Sequence, residues 1–243
     1  MRLKWDRSQG RPEPISALNR VIELDNREPL VDLRIEAPSV WMARETVIPY
    51  CRLRVAQMVE RAAQSLPDGW ILGVVDAWRP IERQQRIYDF LWDCAKEAYP
   101  DRSYRSLKRT VNRWAAPTDQ KAPPGHCTGA ALDVWLFDQE KNPIDVSSPY
   151  GRFSAAPTFT QGLDPAAFAN RMALFQAMAG QGFSNCRDEW WHFSFGDAGW
   201  AVRAGESTCV YGLATLDPSL YEKEERLHAI SMAKRENPFL TGR

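Results

Sequence analysis

Histidine is scarce in this chain, with three residues in 243, and two of the three stand in short runs that also carry a carboxylate. The first run is Gly125-His126-Cys127-Thr128-Gly129-Ala130-Ala131-Leu132-Asp133; the second, roughly sixty residues further on, is Glu189-Trp190-Trp191-His192. If both serve one centre, the fold must carry two distant segments within bonding reach of each other. The residues around them indicate how. Leu132 to Phe137 alternates apolar and polar, as a strand does, and His126 follows Pro123-Pro124-Gly125 in a tight loop that feeds it, with Asp133 at the strand's start. Trp190 to Phe195 also reads as a strand, with Trp191, Phe193 and Phe195 on one face and Trp190, His192 and Ser194 on the other. Positions three apart on a flat strand face opposite sides. Glu189 therefore shares the side of His192 only from a preceding turn or a bulge, and Ser184-Asn185-Cys186-Arg187-Asp188 has the composition of a turn.

The rest of the chain supplies helices and further strands. Residues 1–48 are irregular apart from a strand-like Val31-Asp32-Leu33-Arg34-Ile35. Apolar residues recur at helical spacing from Pro49 to Leu66 until Pro67-Asp68-Gly69 breaks the pattern. Trp70 to Val75 reads as a buried strand ending at Asp76-Ala77-Trp78-Arg79-Pro80, and Ile81 to Ala98 as a helix with Ile87, Phe90, Leu91 and Ala95 on one face. Arg102 to Arg109 reads as a solvated basic face. Pro143 to Val146 can pair back on Leu132–Phe137 through a turn at Asp138–Asn142, and Asp164-Pro165 opens a helix to about Ala179. A last helix, rich in Glu and Lys, starts at Asp217-Pro218-Ser219 and reaches about Lys234. This order predicts an α+β fold with a central antiparallel sheet flanked by helices.

Composition narrows the function classes. Thirty-one basic residues balance thirty-one acidic ones, so there is no general attraction to nucleic acid or to an anionic membrane. The start is polar, without the apolar core of a leader, and no window approaches the roughly 18 apolar residues of a membrane span. Five cysteines, Cys51, Cys94, Cys127, Cys186 and Cys209, form no C-x-x-C pair and read as reduced thiols of a cytoplasmic protein.

His126, Asp133 and His192 are a three-ligand set for a catalytic zinc, which keeps its fourth position for solvent or substrate, and Glu189 is near enough to act on a bound water. Arg79, at a strand-to-helix junction, can project over the sheet end and steady an anion formed during attack; its bland reading is an ion pair with Asp76 or Glu82. Trp190-Trp191 reads as core and pocket wall, Cys127 as packing, and His228 in the last helix as a surface residue.

Together these elements resemble the VanX-type D-alanyl-D-alanine dipeptidases, within a wider zinc peptidase group of D,D-carboxypeptidases and endolysins. That group carries S-x-H-x-x-G-x-A-x-D followed by E-x-W-H, matched here by Pro124 to Asp133 and by Glu189-Trp190-Trp191-His192. The dipeptidase branch adds Asp-x-Tyr-Arg-Pro, matched by Asp76 to Pro80, and Val-Asp-Leu-Arg, matched by Val31 to Arg34. The resemblance spans roughly residues 28 to 200. It implies a Hedgehog/D,D-peptidase-like fold, one Zn2+ per chain on His126, Asp133 and His192, Glu189 as catalytic base and Arg79 as the holder of the oxyanion.

Two departures separate the chain from that pattern. Pro124 replaces the family's serine, and Gly151-Arg152-Phe153-Ser154 replaces Gly-Thr-x-Phe-Asp, whose acid meets the substrate ammonium. The expected substrate is therefore a small dipeptide or related amide whose amino side differs from that of D-Ala-D-Ala, with Arg152, Ser154, Trp190 and Trp191 around it. Rival readings are a carboxypeptidase or endopeptidase acting on peptidoglycan stem peptides, and a non-catalytic zinc-binding domain. Residues 1–204 are expected to form the peptidase domain. Residues 205–243 are expected to form a helical extension, read as a solvated tail, with a homodimer contact or a lid as the alternatives.

Overall fold

The structure, a computed structural model, describes residues 4–241. Its organising element is a five-stranded sheet built from β1 (Val40–Met42), β2 (Ile71–Asp76), β3 (Ala131–Phe137), β4 (Ser184–Asn185) and β5 (His192–Ser194), in the spatial order β1-β2-β3-β5-β4. The pairs β2–β3, β3–β5 and β4–β5 run antiparallel, whereas β1 lies parallel to β2 at the edge. The fold is thus α+β, and the expected central antiparallel sheet is mixed, with β1 parallel at its edge. Sequence pattern missed β1 because three residues are too few to show a period.

Alternation along β3 divides the sheet into two chemical faces. Leu132, Val134 and Leu136 are 0–1% exposed and pair laterally with Phe193, Val74 and Leu72, all fully buried. Against this face lie helix Leu53–Gln64 (α1), with Val55, Met58, Val59 and Ala62, and helix Pro165–Ala179 (α2), with Leu174 and Met178. Burying a side chain of this size contributes roughly 1.5–3 kcal/mol, so this face holds the main core. Asp133 and Trp135 point to the opposite face, which is left for chemistry. Asp164 occupies the cap position of α2 with Pro165 first in the helix, although its side chain makes no cap hydrogen bond.

Two other segments depart from expectation. The strand predicted over Val31–Ile35 stops at Asp32, whose carboxylate accepts from the Arg34 N–H (2.9 Å) and starts a helical turn, Leu33–Glu36; only Leu30–Asp32 pairs, with Tyr50–Arg52. Pro143–Val146 returns to β3 through the Ile144 N–H on the Leu136 carbonyl (2.9 Å) but makes a single bridge, Phe137 to Pro143, since proline has no N–H for a ladder.

A second cluster joins helix Ile81–Ala98 to helix Tyr104–Val111 through Leu91, Cys94, Ala95, Leu107 and Val111, with Phe239 from the chain's end inserted among them. The C-terminal segment packs back elsewhere too. Thr208–Cys209 pairs with Ile22–Glu23, the Tyr221 ring meets Trp78 edge-on at 5.2 Å, and Glu225 bonds Arg83 (2.6 Å) and Arg86. His228, expected at the surface, is half-buried in the helix Glu222–Ala233; burial and the Arg83 charge push it down to about 4. Among the described residues no helix is long and apolar enough to cross a membrane.

Candidate active site

Strand register assembles the site. Asp133 of β3 is paired with His192 of β5 on one side and with Asp76 of β2 on the other. Directly opposed residues of antiparallel strands project to the same face, so these three side chains form a row at the sheet's end. Asp76 joins the row only because of an irregularity: Val74 pairs with Val134 and Asp76 with Asp133, so Val75 is an extra residue. Without that bulge Asp76 would follow Leu72 and Val74 onto the helix face.

His126 arrives from the turn preceding β3. Gly125–Thr128 forms a 3-10 turn closed by Gly129 in the left-handed region (φ 73°), where a Cβ would stand 2.2 Å from Leu30 Cδ2. The buried Arg52 holds this turn: its guanidinium donates to the carbonyls of Thr128 (2.7 Å), Glu28 (2.5 Å) and Gly212 (2.9 Å). His126 Nδ1 lies 2.8 Å from the Ala77 carbonyl, and donating there leaves Nε2 free as an acceptor. Nε2 is 3.4 Å from Asp133 Oδ1, His192 Nδ1 is 3.0 Å from the same oxygen, and one donor atom from each residue lies within 4.8 Å of the others.

These spacings suit a metal. Donors about 2.0–2.2 Å from a tetrahedral ion stand about 3.3 Å apart, and imidazole with carboxylate is a common donor set for catalytic divalent ions. Burial alone would raise the Asp133 carboxyl, yet the His126 and His192 imidazoles hold it well below the usual carboxylate range, so it is an anion ready to ligate. Burial lowers the His192 imidazole, and its bond to Asp133 more than reverses that.

Glu189 lies in the turn before β5, as its spacing from His192 requires, with its carbonyl accepting the His192 N–H (3.1 Å). Burial pushes its carboxyl up to about 7, the His192 imidazole pulling the other way. A carboxyl of that acidity both takes and returns a proton near neutrality. Arg79 stands beside this group, its backbone N–H on the His126 carbonyl (3.1 Å) and its guanidinium bonded to the Asp76 carboxylate and the Gln84 side-chain carbonyl. Both the ion pair with Asp76 and the position at the sheet end are therefore present. Asp76 and Gln84 are the residues sequence reasoning undervalued; an acid three before Arg79 and an amide five after it were the available signals.

The remaining expected residues lie on the loop between β3 and α2 and beside β5. The Arg152 guanidinium stacks over Trp135 (4.4 Å), Trp191 (4.4 Å) and Phe153 (4.9 Å). Ser154 is exposed and donates to the Gly151 carbonyl (2.8 Å). Trp191 is buried in the main core with one ring face toward Arg152, and Trp190 is buried behind it, against Trp135 and Arg171. Cys127 is fully buried and its thiol is pushed up to about 12 by burial, which makes it inert packing.

A sheet end that presents two imidazoles, a carboxylate and a proton-exchanging acid defines a metal-dependent hydrolase in class. Comparison with known proteins narrows this. The family model described as D-Ala-D-Ala dipeptidase, of the M15 peptidases, matches residues 50–209. A D-alanyl-D-alanine dipeptidase of Synechocystis sp. is 32% identical over 178 residues, covering 63% of this chain and 72% of the relative. One of Escherichia coli (strain K12) is 28% identical over 149 residues, covering 60% and 67%. The chain belongs to the D-Ala-D-Ala dipeptidase family of M15 metallopeptidases.

Proposed function

We propose that this protein is a zinc-dependent dipeptidase that cleaves a dipeptide or related amide, with one Zn2+ per chain on His126, Asp133 and His192. The observation that carries this is the register-matched row of Asp133 and His192 with His126 Nε2 turned toward it. When bound, such a metal supplies Lewis acidity toward a scissile carbonyl and lowers the pKa of a coordinated water toward about 7. Every other task falls to the chain. Glu189 removes a proton from the attacking water and delivers it to the departing amine, a role worth roughly 10²–10⁴ in rate. Arg79 faces the oxygen on which charge develops, preorganised by Asp76 and Gln84 so that little rearrangement is needed as the charge forms. Trp191 walls the site against water.

The scaffold is taken to be D,D-peptidase-like, with residues 1–204 as the peptidase domain and 205–243 as a helical extension laid across it. Five free thiols support a reducing, cytoplasmic setting. Pro124 and Ser154, in place of the family's serine and acid, support a substrate whose amino end is not the free ammonium of D-Ala-D-Ala. The test is zinc content and dipeptide turnover in the wild type and in Glu189→Gln. Stoichiometric zinc in both, with turnover lost only in the variant, is the expected result. Turnover undiminished in the variant refutes the assignment of Glu189, and a protein that retains no divalent metal refutes the centre itself.

A further inference from the structure

Several buried arginines of this molecule serve as struts, each with at least two hydrogen bonds from its guanidinium. Arg52 donates to three carbonyls, Arg171 to those of Val146, Ala155, Pro157 and Thr158, and Arg83 to Glu225 and the Thr46 carbonyl. Arg79 and Arg83 each leave one buried nitrogen unpartnered but bond through the others, whereas Arg152 differs in kind. Among the described residues it makes no hydrogen bond and no ion pair, and its Nε is buried without a partner. The three rings around it satisfy the guanidinium by cation–π contact alone, which leaves its N–H donors, directed in the plane of the group, without an acceptor. A desolvated guanidinium whose donors lack an acceptor is half of a bidentate anion site.

Its neighbours enlarge that charge. Arg44 stacks over the same Trp135 ring, 5.3 Å from its centroid, and likewise has no ion-pair partner among the described residues. Burial, then the Arg44 charge, push Arg152 down to about 10 against the pull of Asp133 and Glu189 from the metal side, with a smaller push from the Arg235 charge. Those two acids are committed to the centre in the proposed mechanism, and among the described residues neither forms an ion pair with Arg152 or Arg44. The loop is rigidly held, because Arg171 pins its carbonyls from 146 to 158. Among the described residues no carboxylate is ion-paired with Arg152 or Arg44, and Ser154 spends its hydroxyl on Gly151.

We propose that Arg152, flanked by Arg44 on the same Trp135 ring, forms a cationic subsite beside the metal cluster that selects substrates bearing a carboxylate not balanced by a free ammonium. This rests on the reading of the site as a dipeptidase centre and names its substrate class: dipeptides that are acidic, or that are capped on nitrogen. The two sources share one chemistry, and the experiment separates them.

Binding is measured by calorimetry on zinc-loaded Glu189→Gln, which removes turnover from the readout. The probes are Ala-Ala, N-acetyl-Ala-Ala, Asp-Ala and Glu-Ala in both stereochemical series. Net-negative probes are expected to bind on the order of 10- to 100-fold more tightly than the zwitterion, the lower part of what a desolvated charge pair contributes. Arg152→Gln should erase that preference and Arg152→Lys restore part of it. Arg44→Gln, at an exposed position that does not threaten folding, should reduce it several-fold and flatten its salt dependence. Preference for the capped probe alone assigns the subsite to the amino cap, and preference for the Asp and Glu probes assigns it to the side chain. A zwitterion that binds as tightly as the anions, or a preference that neither glutamine variant moves, overturns the proposal. If the zinc-loaded wild type cleaves none of these peptides, the dipeptidase reading falls, while the calorimetry still decides whether the subsite selects anions.

Discussion

Asp76→Asn is the most informative single change the geometry offers. The substitution keeps the size of the side chain and the oxygen that accepts the Ala77 N–H (3.0 Å), so the bulge at Val75 stays intact. It removes one negative charge from a pair whose side chains are 13% and 23% exposed. Orphaning a fully buried charge costs about 3–5 kcal/mol, whereas losing one hydrogen bond to a charged group costs about 1.5–3 kcal/mol. Gln84 still holds the other guanidinium nitrogen, which places the loss near the lower range, about 2 kcal/mol. For a chain of this size that is a fall in Tm of roughly 4–8 °C. Catalysis should suffer separately. Removing an oxyanion donor costs about 2.7–4 kcal/mol of barrier, and an Arg79 that is loosened rather than absent should forfeit part of that, a fall in kcat of roughly 10- to 100-fold with KM little changed. Steady-state kinetics on the best-cleaved dipeptide, with zinc content measured on the same samples, reads both numbers. The decisive comparison is a double-mutant cycle with Arg79→Ala: if Asp76 acts through Arg79, the double variant is no slower than Arg79→Ala alone. Additive losses, or kcat within twofold of wild type in Asp76→Asn, would refute the argument.

Other expectations follow from features already described. Gly129→Ala places a methyl against Leu30 at a residue with positive φ, so backbone strain of about 1–2 kcal/mol adds to overpacking, and the displaced turn should lower zinc occupancy measured by metal analysis. Stripping the metal with a chelator should abolish turnover and lower the melting temperature, and added Zn2+ should restore both; by mass action, ligand at a hundred times its Kd contributes about 2.7 kcal/mol of stability. His228 has a folded pKa of about 4, below its ordinary value, so the unfolded chain binds the extra proton between about pH 6.5 and 4 and stability falls as pH drops through that window. Half-burial reduces the effect to about 1 kcal/mol, and urea melts at pH 5 and 7 should show a steeper acid loss for the wild type than for His228→Gln.

Much of this site could be read from local pattern because the relevant signals are short in range. Alternation put Asp133 on the face opposite Leu132 and His192 opposite Phe193, and a three-residue spacing required Glu189 to come from a turn. Helix Ile81–Ala98 was legible to its ends because an apolar face runs its whole length and Pro80 precedes it. What escaped depends on partners far along the chain. The extra residue at Val75 is defined only against Val134 and Asp133. The carbonyl clamps of Arg52 and Arg171 leave no mark in composition, since their acceptors are backbone atoms. The burial of Phe239 and His228 was hidden in a polar tail whose contacts lie on a helix far earlier in the sequence.

The contacts of Tyr221 with Trp78 and of Glu225 with Arg83 also set an order of assembly. During synthesis Arg79 emerges together with Asp76 and Gln84 but long before Tyr221 and Glu225, and chains organise from the N-terminus first. The ligand strands can pair while the arginine arm still lacks its outer support. The support that Tyr221 and Glu225 give to Trp78 and Arg83 waits for those residues to leave the ribosome, so a nascent chain halted just past β5 would hold the two imidazoles together before the neighbours of Arg79 are secured.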